Sequence, residues 1–271
     1  MRNNIHIGIL AAMPEEIGKT LENLKNTIKV EFGDLTIYSG EWNGVEVSEK
    51  IKINLSIAWS GWGKVSAARA TTRLLSSNLL NSPIDLLIFT GVAGAVNSKL
   101  NQWDIVIPSG VIQHDMDARP LFERYVIPAL NQKKLMPKRK LINWARKAIQ
   151  QATENFDLKL FGKVSTGIIA TGDSFISDKL LLKNLSINIP DLDAVEMEGA
   201  AFAQVAIQEN IDWIIIRTIS DSADEEAANS FSEFVRIYEN SSFIVPEYQI
   251  ISPVDKWSSQ FKGIRFKIKN K

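Results

Sequence analysis

The sequence predicts a single α/β domain with a mixed, mostly parallel central sheet that is flanked by helices. Apolar runs of strand length alternate with helix-like segments, and the runs are nearly continuous in isoleucine, valine and leucine. Strands that are covered on both faces have this composition, and the alternation favours parallel pairing. At 271 residues, the chain has the size of α/β domains that commonly form one core.

Five strands and five helices are predicted from these patterns. The strand-length apolar runs cover residues 5–12, 84–90, 104–108, 164–170 and 213–220. The helix-like segments cover residues 14–26, 64–78, 140–152, 198–209 and 231–240. Residues 35–42 and 45–59 flank an Asn43-Gly44 pair, which favours the tight turn of a β-hairpin. This hairpin signal is the reason for expecting a mixed sheet.

Two stretches depart from the alternation. Residues 119–139 carry three prolines and several basic residues, which predicts an excursion from the core. Residues 261–269 largely alternate phenylalanine or isoleucine with lysine or arginine, which favours an edge strand or a solvated tail over a membrane or nucleic-acid contact. We therefore assign residues 1–244 to the α/β domain, including the excursion, and residues 245–271 to a C-terminal extension.

The composition excludes several classes of function. The 31 basic and 31 acidic residues balance, so no overall field favours nucleic acid or an anionic membrane as a partner. The chain has no cysteine, which excludes disulfides, thiolate metal sites and a cysteine nucleophile. No apolar stretch approaches the roughly twenty residues of a transmembrane helix, and the first apolar run lacks a signal-peptide cleavage site. We expect a cytoplasmic protein that acts on a small molecule.

Polar or glycine-rich residues follow the predicted strands. In open α/β sheets, ligands bind at the carboxyl ends of the strands, so we expect these loops to meet at one rim. Their sequences are Met13-Pro14-Glu15-Glu16, Gly91-Val92-Ala93-Gly94, Thr171-Gly172-Asp173-Ser174-Phe175, Glu196-Met197-Glu198 and Ser220-Asp221.

Several of these loops also have a purely structural interpretation. Glu15 and Glu16 could serve only the dipole of a helix that begins at Pro14. The glycine turn at 91–94 lacks the full dinucleotide fingerprint, so a nicotinamide cofactor is poorly supported. Asp221 could cap a helix or form a turn. None of these loops identifies a function by itself.

Two features are harder to explain by structure alone. Arg217 interrupts a buried strand, where an unpaired charge would cost several kcal/mol, so it should have a carboxylate or ligand partner. Glu196 and Glu198 lie two residues apart, which places them on the same side of an extended chain. Both features predict a charged site at this rim of the sheet.

A metal site is the alternative raised by His114, Asp115 and Asp117. The three side chains offer one nitrogen and carboxylate oxygens, but a second nearby histidine is missing. We therefore favour a structural or subunit-contact role for this segment and predict neither a metal nor another cofactor.

Taken in order, these blocks resemble the nucleoside phosphorylase and nucleosidase superfamily, and most closely the methylthioadenosine/adenosylhomocysteine nucleosidases. The resemblance extends from residue 5 to about residue 235, and its most specific blocks are Val-Glu-Met-Glu at 195–198 and Ile-Ser-Asp at 219–221. The other matching blocks lie at 7–16, 60–65, 90–94, 171–176, 194–200 and 217–221.

The resemblance implies hydrolysis of the N-glycosidic bond of an adenine nucleoside. By that resemblance, Glu16 activates water, Asp221 protonates adenine and Glu198 binds the ribose hydroxyls. A riboside breaks through a cationic sugar, and a base, an acid and a carboxylate beside the ring meet its three chemical demands. The remaining expected substrate contacts are Ala93, Gly94, Phe175, Ile176, Glu196, Met197, Arg217 and Ser220.

Hydrolysis is favoured over phosphorolysis because a phosphorylase must bind phosphate, normally with arginines or an amide nest. The first loop and residues 86–89, where resembling phosphorylases supply arginines, contain no basic residue. Two features depart from the family pattern. Val92 lies where the family often has a serine, and the segment 119–139 does not match the segment that shapes the thioalkyl pocket in the family. One hypothesis is that Arg119 reaches the 5′ substituent.

Other functions stay open on the sequence alone. The chain could cleave another purine nucleoside or a 5′-modified adenosine, by water or by phosphate. It could also be a nucleoside sensor without catalysis, although the presence of both Glu16 and Asp221 argues against this. A homodimer is implied by the resemblance alone.

Overall fold

A mixed sheet forms the centre of the computed structural model, which describes residues 4–42, 52–154 and 160–242. Its strands in these ranges are β1 Asn4–Ala11, β2 Leu24–Phe32, β3 Leu35–Trp42, β4 Lys52–Trp59, β5 Leu86–Ala95, β6 Ile105–Gln113, β7 Val164–Thr171, β8 Leu192–Glu196 and β9 Asp212–Asp221. The α-helices are α1 Lys64–Ser76, α2 Arg139–Glu154, α3 Lys179–Asn188, α4 Gly199–Gln208 and α5 Ala227–Tyr238.

The strands follow the order β2-β3-β4-β1-β5-β8-β7-β6-β9, and β9 also pairs with β5. Strands β5, β8, β7, β6 and β9 therefore close into a ring, from which β1, β4, β3 and β2 extend as an open sheet. Five of the nine pairings among the described strands are parallel, which confirms the predicted mixed, mostly parallel sheet.

Strand β5 is the junction that brings the loops together. Along most of its length it pairs in parallel with β9, while its last two residues pair with the antiparallel strand β8. As a result, Gly94 lies beside Val195 on one side and Asp221 on the other. The carboxyl ends of β8 and β9 thus meet at Gly94, although these two strands run in opposite directions.

Helices cover both faces of the sheet and enclose two apolar clusters. On one face, α1 and α4 pack over a cluster in which the rings of Phe89 and Phe202 lie 5.1 Å apart. On the other face, α2 and α5 contribute Trp144 and Phe234 to a second cluster. Full burial of one such aromatic side chain stabilises the fold by about 1.5 to 3 kcal/mol.

The five predicted strands are confirmed, and four of them are longer than the apolar runs indicate. The helix predicted at 14–26 is wrong: two short 3-10 helices, Pro14–Glu16 and Gly18–Asn23, lead directly into β2. Gly18 has a left-handed backbone with φ of 52°, which interrupts an α-helix. Strand β2 is mostly exposed, so its polar residues hide the strand pattern.

Strand β8 and helix α3 are the other elements that the pattern did not predict. Strand β8 has five residues and includes two acidic side chains, so it lacks a continuous apolar run. Helix α3 begins where the side chain of Asp178 accepts hydrogen bonds from the N–H groups of Leu180 and Leu181. Two other predictions, the Asn43-Gly44 turn and the C-terminal extension at 245–271, lie outside the described residues.

The predicted excursion at 119–139 leaves the sheet after β6 and returns to it. It has no helix or strand before α2, and its basic side chains are exposed. Tyr125, Ile127 and Leu135 are nevertheless buried, and Leu135 forms a β-bridge to Val111 of β6. These contacts anchor the segment to the core. In the described part of the chain, every helix is too short or too polar to cross a membrane.

His6 lies in the core of β1 and forms two hydrogen bonds through its ring. Its Nδ1 is 2.7 Å from the carbonyl oxygen of Ser82, and its Nε2 is 2.8 Å from Oγ of Ser56. A carbonyl oxygen can only accept, so Nδ1 carries the proton and Nε2 accepts from Ser56. Burial lowers the pKa of His6 below its usual value, and the neutral ring is therefore the folded form.

Replacing His6 with asparagine tests this buried contact. Because the folded state resists protonation, the stability from His6 is complete above the unfolded pKa of about 6.5 and is lost as pH falls below it. At alkaline pH, we expect His6→Asn to lower the free energy of unfolding by about 1 to 3 kcal/mol. Urea unfolding should show this difference shrinking as pH falls. A difference that stays constant with pH would contradict the assignment.

Candidate active site

An open cleft of about 550 Å³ lies at the junction of β5, β8 and β9. It combines carboxyl groups, backbone from the glycine turn of β5 and an aromatic wall. Its lining residues are Ala12, Met13, Glu16, Trp62, Val92, Ala93, Gly94, Ser174, Phe175, Ile176, Val195, Glu196, Met197, Glu198, Ser220, Asp221 and Phe231.

Glu16 is buried at the base of this cleft and is held by three backbone N–H groups. Its Oε2 accepts from Ala12 at 2.7 Å and from Met13 at 2.9 Å, and its Oε1 accepts from Val92 at 2.9 Å. Burial raises the pKa of Glu16 above the usual glutamate value, although these N–H groups and Arg217 act in the opposite direction. The 3-10 turn at Pro14–Glu16 folds the side chain back to receive these bonds.

Glu196 supplies the carboxylate partner that we expect for the buried Arg217. The arginine is 1% exposed, its Nη2 donates to Oε2 of Glu196 at 2.6 Å, and its guanidinium lies 4.3 Å from the ring centre of Phe89. Burial by itself lowers the pKa of Arg217, but the surrounding carboxylates raise it past its usual value, so the arginine stays charged. Arg217 lies beneath the cleft and is not one of the side chains that line it.

Glu196 connects several elements through its two oxygens. Its Oε2 also accepts from the backbone N–H of Gly199 at 2.7 Å and of Glu198 at 3.2 Å. The hydroxyl of Thr171 donates to Oε1. With these bonds and Arg217, the carboxylate is fully engaged, so it serves chiefly to hold β7, β8, β9 and α4 together.

Glu198 has fewer donors than its neighbours. Only one N–H bond to its carboxylate is present among the described contacts, from Gly63 to Oε1 at 2.7 Å. Burial and the nearby charge of Glu196 raise the pKa of Glu198 to about 8, against the smaller effect of Arg217. Burial therefore favours the protonated form of Glu198 in the free protein.

Asp221 lies at the other end of the cleft, at the end of β9. Ser220 Oγ is 2.6 Å from Oδ2, and the N–H of Ala223 donates to Oδ1 at 2.8 Å. Burial raises the pKa of Asp221 above its usual value, and these two donors only partly offset it. Ser220 Oγ also lies 3.4 Å from the carbonyl of Ala93, so its hydroxyl has a second acceptor when Asp221 is protonated.

Glycine is required where β5 passes the two ends of the site. A Cβ on Gly91 would lie 2.5 Å from Oε1 of Glu16 and 2.8 Å from Nη1 of Arg217. A Cβ on Gly94 would lie 2.8 Å from Oδ1 of Asp221. The glycine turn therefore lets the backbone of β5 approach both carboxyl groups. This role differs from dinucleotide binding, which the sequence disfavours.

Three aromatic side chains form the outer wall of the cleft. The ring of Phe231 meets Trp62 and Phe175 edge-on, with centroids 5.9 and 5.8 Å apart. Trp62 is 53% exposed and Phe175 is 38% exposed, whereas Ile176 behind them is buried. This wall offers a flat apolar surface to a ring-shaped ligand.

The structure brings together ten of the eleven predicted site residues as lining of one cleft, with Arg217 directly beneath it. Trp62 and Phe231 were missed. Trp62 lies within a matching sequence block but was given no role, and Phe231 was interpreted only as the start of a helix. No periodicity could identify them, because they meet Phe175 only through tertiary contacts.

The alternatives raised for residues 114–119 are also located. His114 is buried against the end of β7, and the described residues contain no group of three side chains suited to a metal. Arg119 is exposed and forms an ion pair with Asp117 through two hydrogen bonds. Arg119 is not among the residues that line the cleft.

The buried Arg217–Glu196 pair predicts a non-additive loss of stability. Arg217→Met leaves the Glu196 carboxylate without its cation, so we expect the free energy of unfolding to fall by about 3 to 5 kcal/mol. Adding Glu196→Gln removes the stranded charge and should recover part of this loss. Urea unfolding of both single variants and the double variant measures the coupling. Losses that simply add would contradict the pair.

Comparison with known proteins identifies the family. The model of the phosphorylase superfamily matches residues 6–245. The 5′-methylthioadenosine/S-adenosylhomocysteine nucleosidase of Anoxybacillus flavithermus is 36% identical over 233 residues, which cover 86% of this chain and 92% of the relative.

Solved structures agree with this match. The nucleosidase of the same name from Colwellia psychrerythraea, solved in complex with adenine, has a TM-score of 0.78 at 33% identity, covering 90% of this chain and 94% of that one. Futalosine hydrolase of Helicobacter pylori has a TM-score of 0.75 at 27% identity, covering 91% and 97%. The chain therefore belongs to the phosphorylase superfamily, and within it to the 5′-methylthioadenosine/S-adenosylhomocysteine nucleosidases.

Proposed function

We propose that this protein hydrolyses the N-glycosidic bond of 5′-methylthioadenosine and S-adenosylhomocysteine, releasing adenine and the 5-thioribose. One observation carries the proposal: Glu16, Glu198 and Asp221 reach a single cleft from three separate loops, and each has a different set of hydrogen-bond donors. Different environments let neighbouring carboxyl groups hold different protonation states, as acid and base catalysis requires. The family relatives carry the same activity in their names.

Asp221 is the proposed acid. Its burial favours the protonated carboxyl group, which can give its proton to the imidazole nitrogen of adenine while the glycosidic bond breaks. The carboxylate that remains is stabilised by the N–H of Ala223 and by the hydroxyl of Ser220. Protonating the leaving base lowers the cost of separating it from a cationic sugar.

Glu16 is the proposed base. A carboxylate has about four acceptor positions, and three N–H groups occupy three of them, so one position on Oε1 stays available for a water molecule. This oxygen and Nη1 of Arg217 both face Gly91, where a Cβ would lie 2.5 and 2.8 Å from them. The arginine can therefore help to orient the water that Glu16 deprotonates, which compensates for Val92 at the position of a family serine.

The other predicted contacts divide between the sugar and the base. Glu198 and Met197 lie at the start of α4, where they can meet the ribose hydroxyls and the ribose face. Phe175 offers its ring for stacking on adenine, and the backbone of Ile176 can bind the edge of the base. Ala93 and Gly94 line the same space.

The charge of the cleft favours water over phosphate as the nucleophile. None of the described residues that line it is lysine or arginine, and the guanidinium of Arg217 is paired with Glu196 below. A phosphate ion would meet the proposed base Glu16 without a cation on the cleft surface to balance it. This distribution supports a hydrolase within a superfamily that also contains phosphorylases.

The proposal includes three further properties that rest on family membership. The protein acts as a homodimer on a small-molecule nucleoside, in the cytoplasm, and without a cofactor. Val65 at the start of α1 is 79% exposed beside the exposed Trp62, which suits a surface that a second subunit covers. We also retain residues 1–244 as the catalytic domain and 245–271 as its extension.

Adenine release tests the reaction directly. The purified protein is incubated with methylthioadenosine in phosphate-free buffer, and free adenine is measured; adenosylhomocysteine and futalosine serve as comparison substrates. Asp221→Asn removes the proposed acid, so we expect the rate to fall by about 10²- to 10⁴-fold. Glu225→Gln, an exposed change in the same loop, is the control and should retain the wild-type rate.

Two outcomes would overturn the proposal. A strict requirement for added phosphate would make the protein a phosphorylase. Tight binding of methylthioadenosine without any adenine release would make it a sensor.

The pH dependence of kcat/KM provides a second test. Glu16 must lose its proton and Asp221 must keep its own, so activity should fall on both sides of an optimum. Because burial raises the pKa of Glu16, the acid-side midpoint should lie above the ordinary glutamate value of 4.5. The raised pKa of Asp221 moves the alkaline fall above the ordinary aspartate value of 3.8. An acid-side midpoint at or below 4.5, or activity that does not fall at alkaline pH, would refute this pair of roles.

A further inference from the structure

Three residues from separate elements form a closed ring of hydrogen bonds beside the cleft. The backbone N–H of Lys64 donates to Oδ1 of Asp173 at 2.7 Å, and the ammonium of Lys64 donates to Oδ1 of Asp115 at 2.7 Å. The backbone N–H of Asp173 closes the ring by donating to Oδ2 of Asp115 at 3.0 Å. This Lys64–Asp115–Asp173 ring joins the start of α1, the end of β6 and the loop after β7.

The charged pair in the ring is partly shielded from water. The side chain of Lys64 is 18% exposed and that of Asp115 is 32% exposed. Burial alone would raise the pKa of Asp115, but Lys64 and the N–H of Asp173 together hold it below its usual value. The carboxylate of Asp115 is therefore ionised at neutral pH. Gln113 accepts a further hydrogen bond from the same ammonium at 3.2 Å.

Helix α1 depends on other loops to satisfy its first N–H groups. Its N-cap residue is Gly63, which has no side chain to act as a cap. Instead, the N–H of Gly63 donates to Glu198 and the N–H of Lys64 donates to Asp173. A Cβ on Gly63 would lie 2.9 Å from Oδ1 of Asp173, so the glycine permits this approach.

The ring therefore connects the two halves of the proposed substrate site. On one side, Gly63 holds Glu198, the proposed ribose ligand, through the start of α1. On the other side, Asp173 is followed two and three residues later by Phe175 and Ile176, the proposed adenine contacts. Any shift of the loop after β7 relative to α1 would change the spacing between the ribose and adenine contacts.

The end of β6 is itself held against this loop, which makes the ring a rigid connection. The ring of His114 packs on Gly172 so closely that a Cβ at position 172 has no room. The backbone N–H of His114 also donates to the carbonyl of Thr171 at 2.9 Å. Asp115 thus projects from a strand end that cannot move independently of the loop.

We infer that Asp173 and Asp115 are positioning residues, which set the distance between the adenine site and the ribose site through Lys64. This inference rests on the proposed nucleosidase function. Neither carboxylate lines the cleft, so both act through the loops that they join. A ligand that spans both sites depends on their spacing, whereas adenine alone occupies one site and does not.

Asp173→Ala tests the inference by comparing these two ligands. Misplaced contacts reduce the rate of an oriented reaction, so we expect kcat/KM for methylthioadenosine to fall by about tenfold or more. The inhibition constant of free adenine should change by less than about twofold, because adenine contacts one side of the ring and its binding does not depend on the spacing between the two sites. Asp173→Asn keeps an oxygen for the N–H of Lys64 and should restore most of the activity.

Asp34→Ala is the matched control, because Asp34 also binds a cation of α1 but does not line the cleft. It pairs with Arg69 at 2.7 Å. We expect Asp34→Ala to retain wild-type kcat/KM, which separates positioning from a general effect on α1. The double variant Asp115→Ala/Asp173→Ala should be no worse than the more impaired single variant, since both break one ring.

Three results would overturn the inference: wild-type kcat/KM in Asp173→Ala, an equal loss of adenine and nucleoside recognition, or losses that add in the double variant. Failure of the proposed function is distinguishable, because the wild-type protein would then release no adenine. In that case, calorimetry with methylthioadenosine and with adenine still tests the ring, through the ratio of the two dissociation constants in wild type and Asp173→Ala.

Discussion

The buried ion pair between Arg217 and Glu196 is the interaction on which the rest of the site depends. Each partner is expensive to bury alone, so the pair persists only because the surrounding bonds are complete. Glu196 also accepts from Thr171 and from the backbone at the start of α4, and in this way it ties β7, β8, β9 and α4 together. The charge of Arg217 neutralises the Glu196 carboxylate. The remaining carboxyl groups of the cleft are buried with little positive charge near them.

That shortage of positive charge favours the protonated forms of the remaining carboxyl groups. Glu16 has three N–H donors, Glu198 has one among the described contacts, and Asp221 has one N–H and a serine hydroxyl. Burial raises the pKa of all three, and Glu198, with the least support, reaches about 8. The proposed roles of Glu16 as base, Glu198 as ribose ligand and Asp221 as acid rest on these different sets of donors rather than on residue type.

The convergence of the loops has a topological cause. Parallel strands bring their carboxyl ends to one edge of a sheet, which is why the loops are expected to meet there. Strand β8, however, runs antiparallel to β5. The loops still meet because β5 is long enough to pair with β9 and then with β8, which places Val195 and Asp221 on either side of Gly94. The glycine allows this crowding, because a Cβ there would collide with Asp221. The loops therefore meet where the sequence predicts, but the cause is the double pairing of β5 and not a set of parallel strands.

The sequence by itself determined the α/β class, the main strands and the residue types of the site, because buried strands and catalytic loops have local patterns. Local patterns also misled: the helix predicted at 14–26 includes the first three residues of β2, and the rest of this exposed strand is predicted as no element, since an edge strand can carry polar residues on both faces. Only the tertiary structure decided the aromatic wall of Trp62 and Phe231, the donors to each carboxylate and the capping of α1 by Asp173. These depend on residues that are distant along the chain, and hydrophobic periodicity carries no information about which distant residues come into contact.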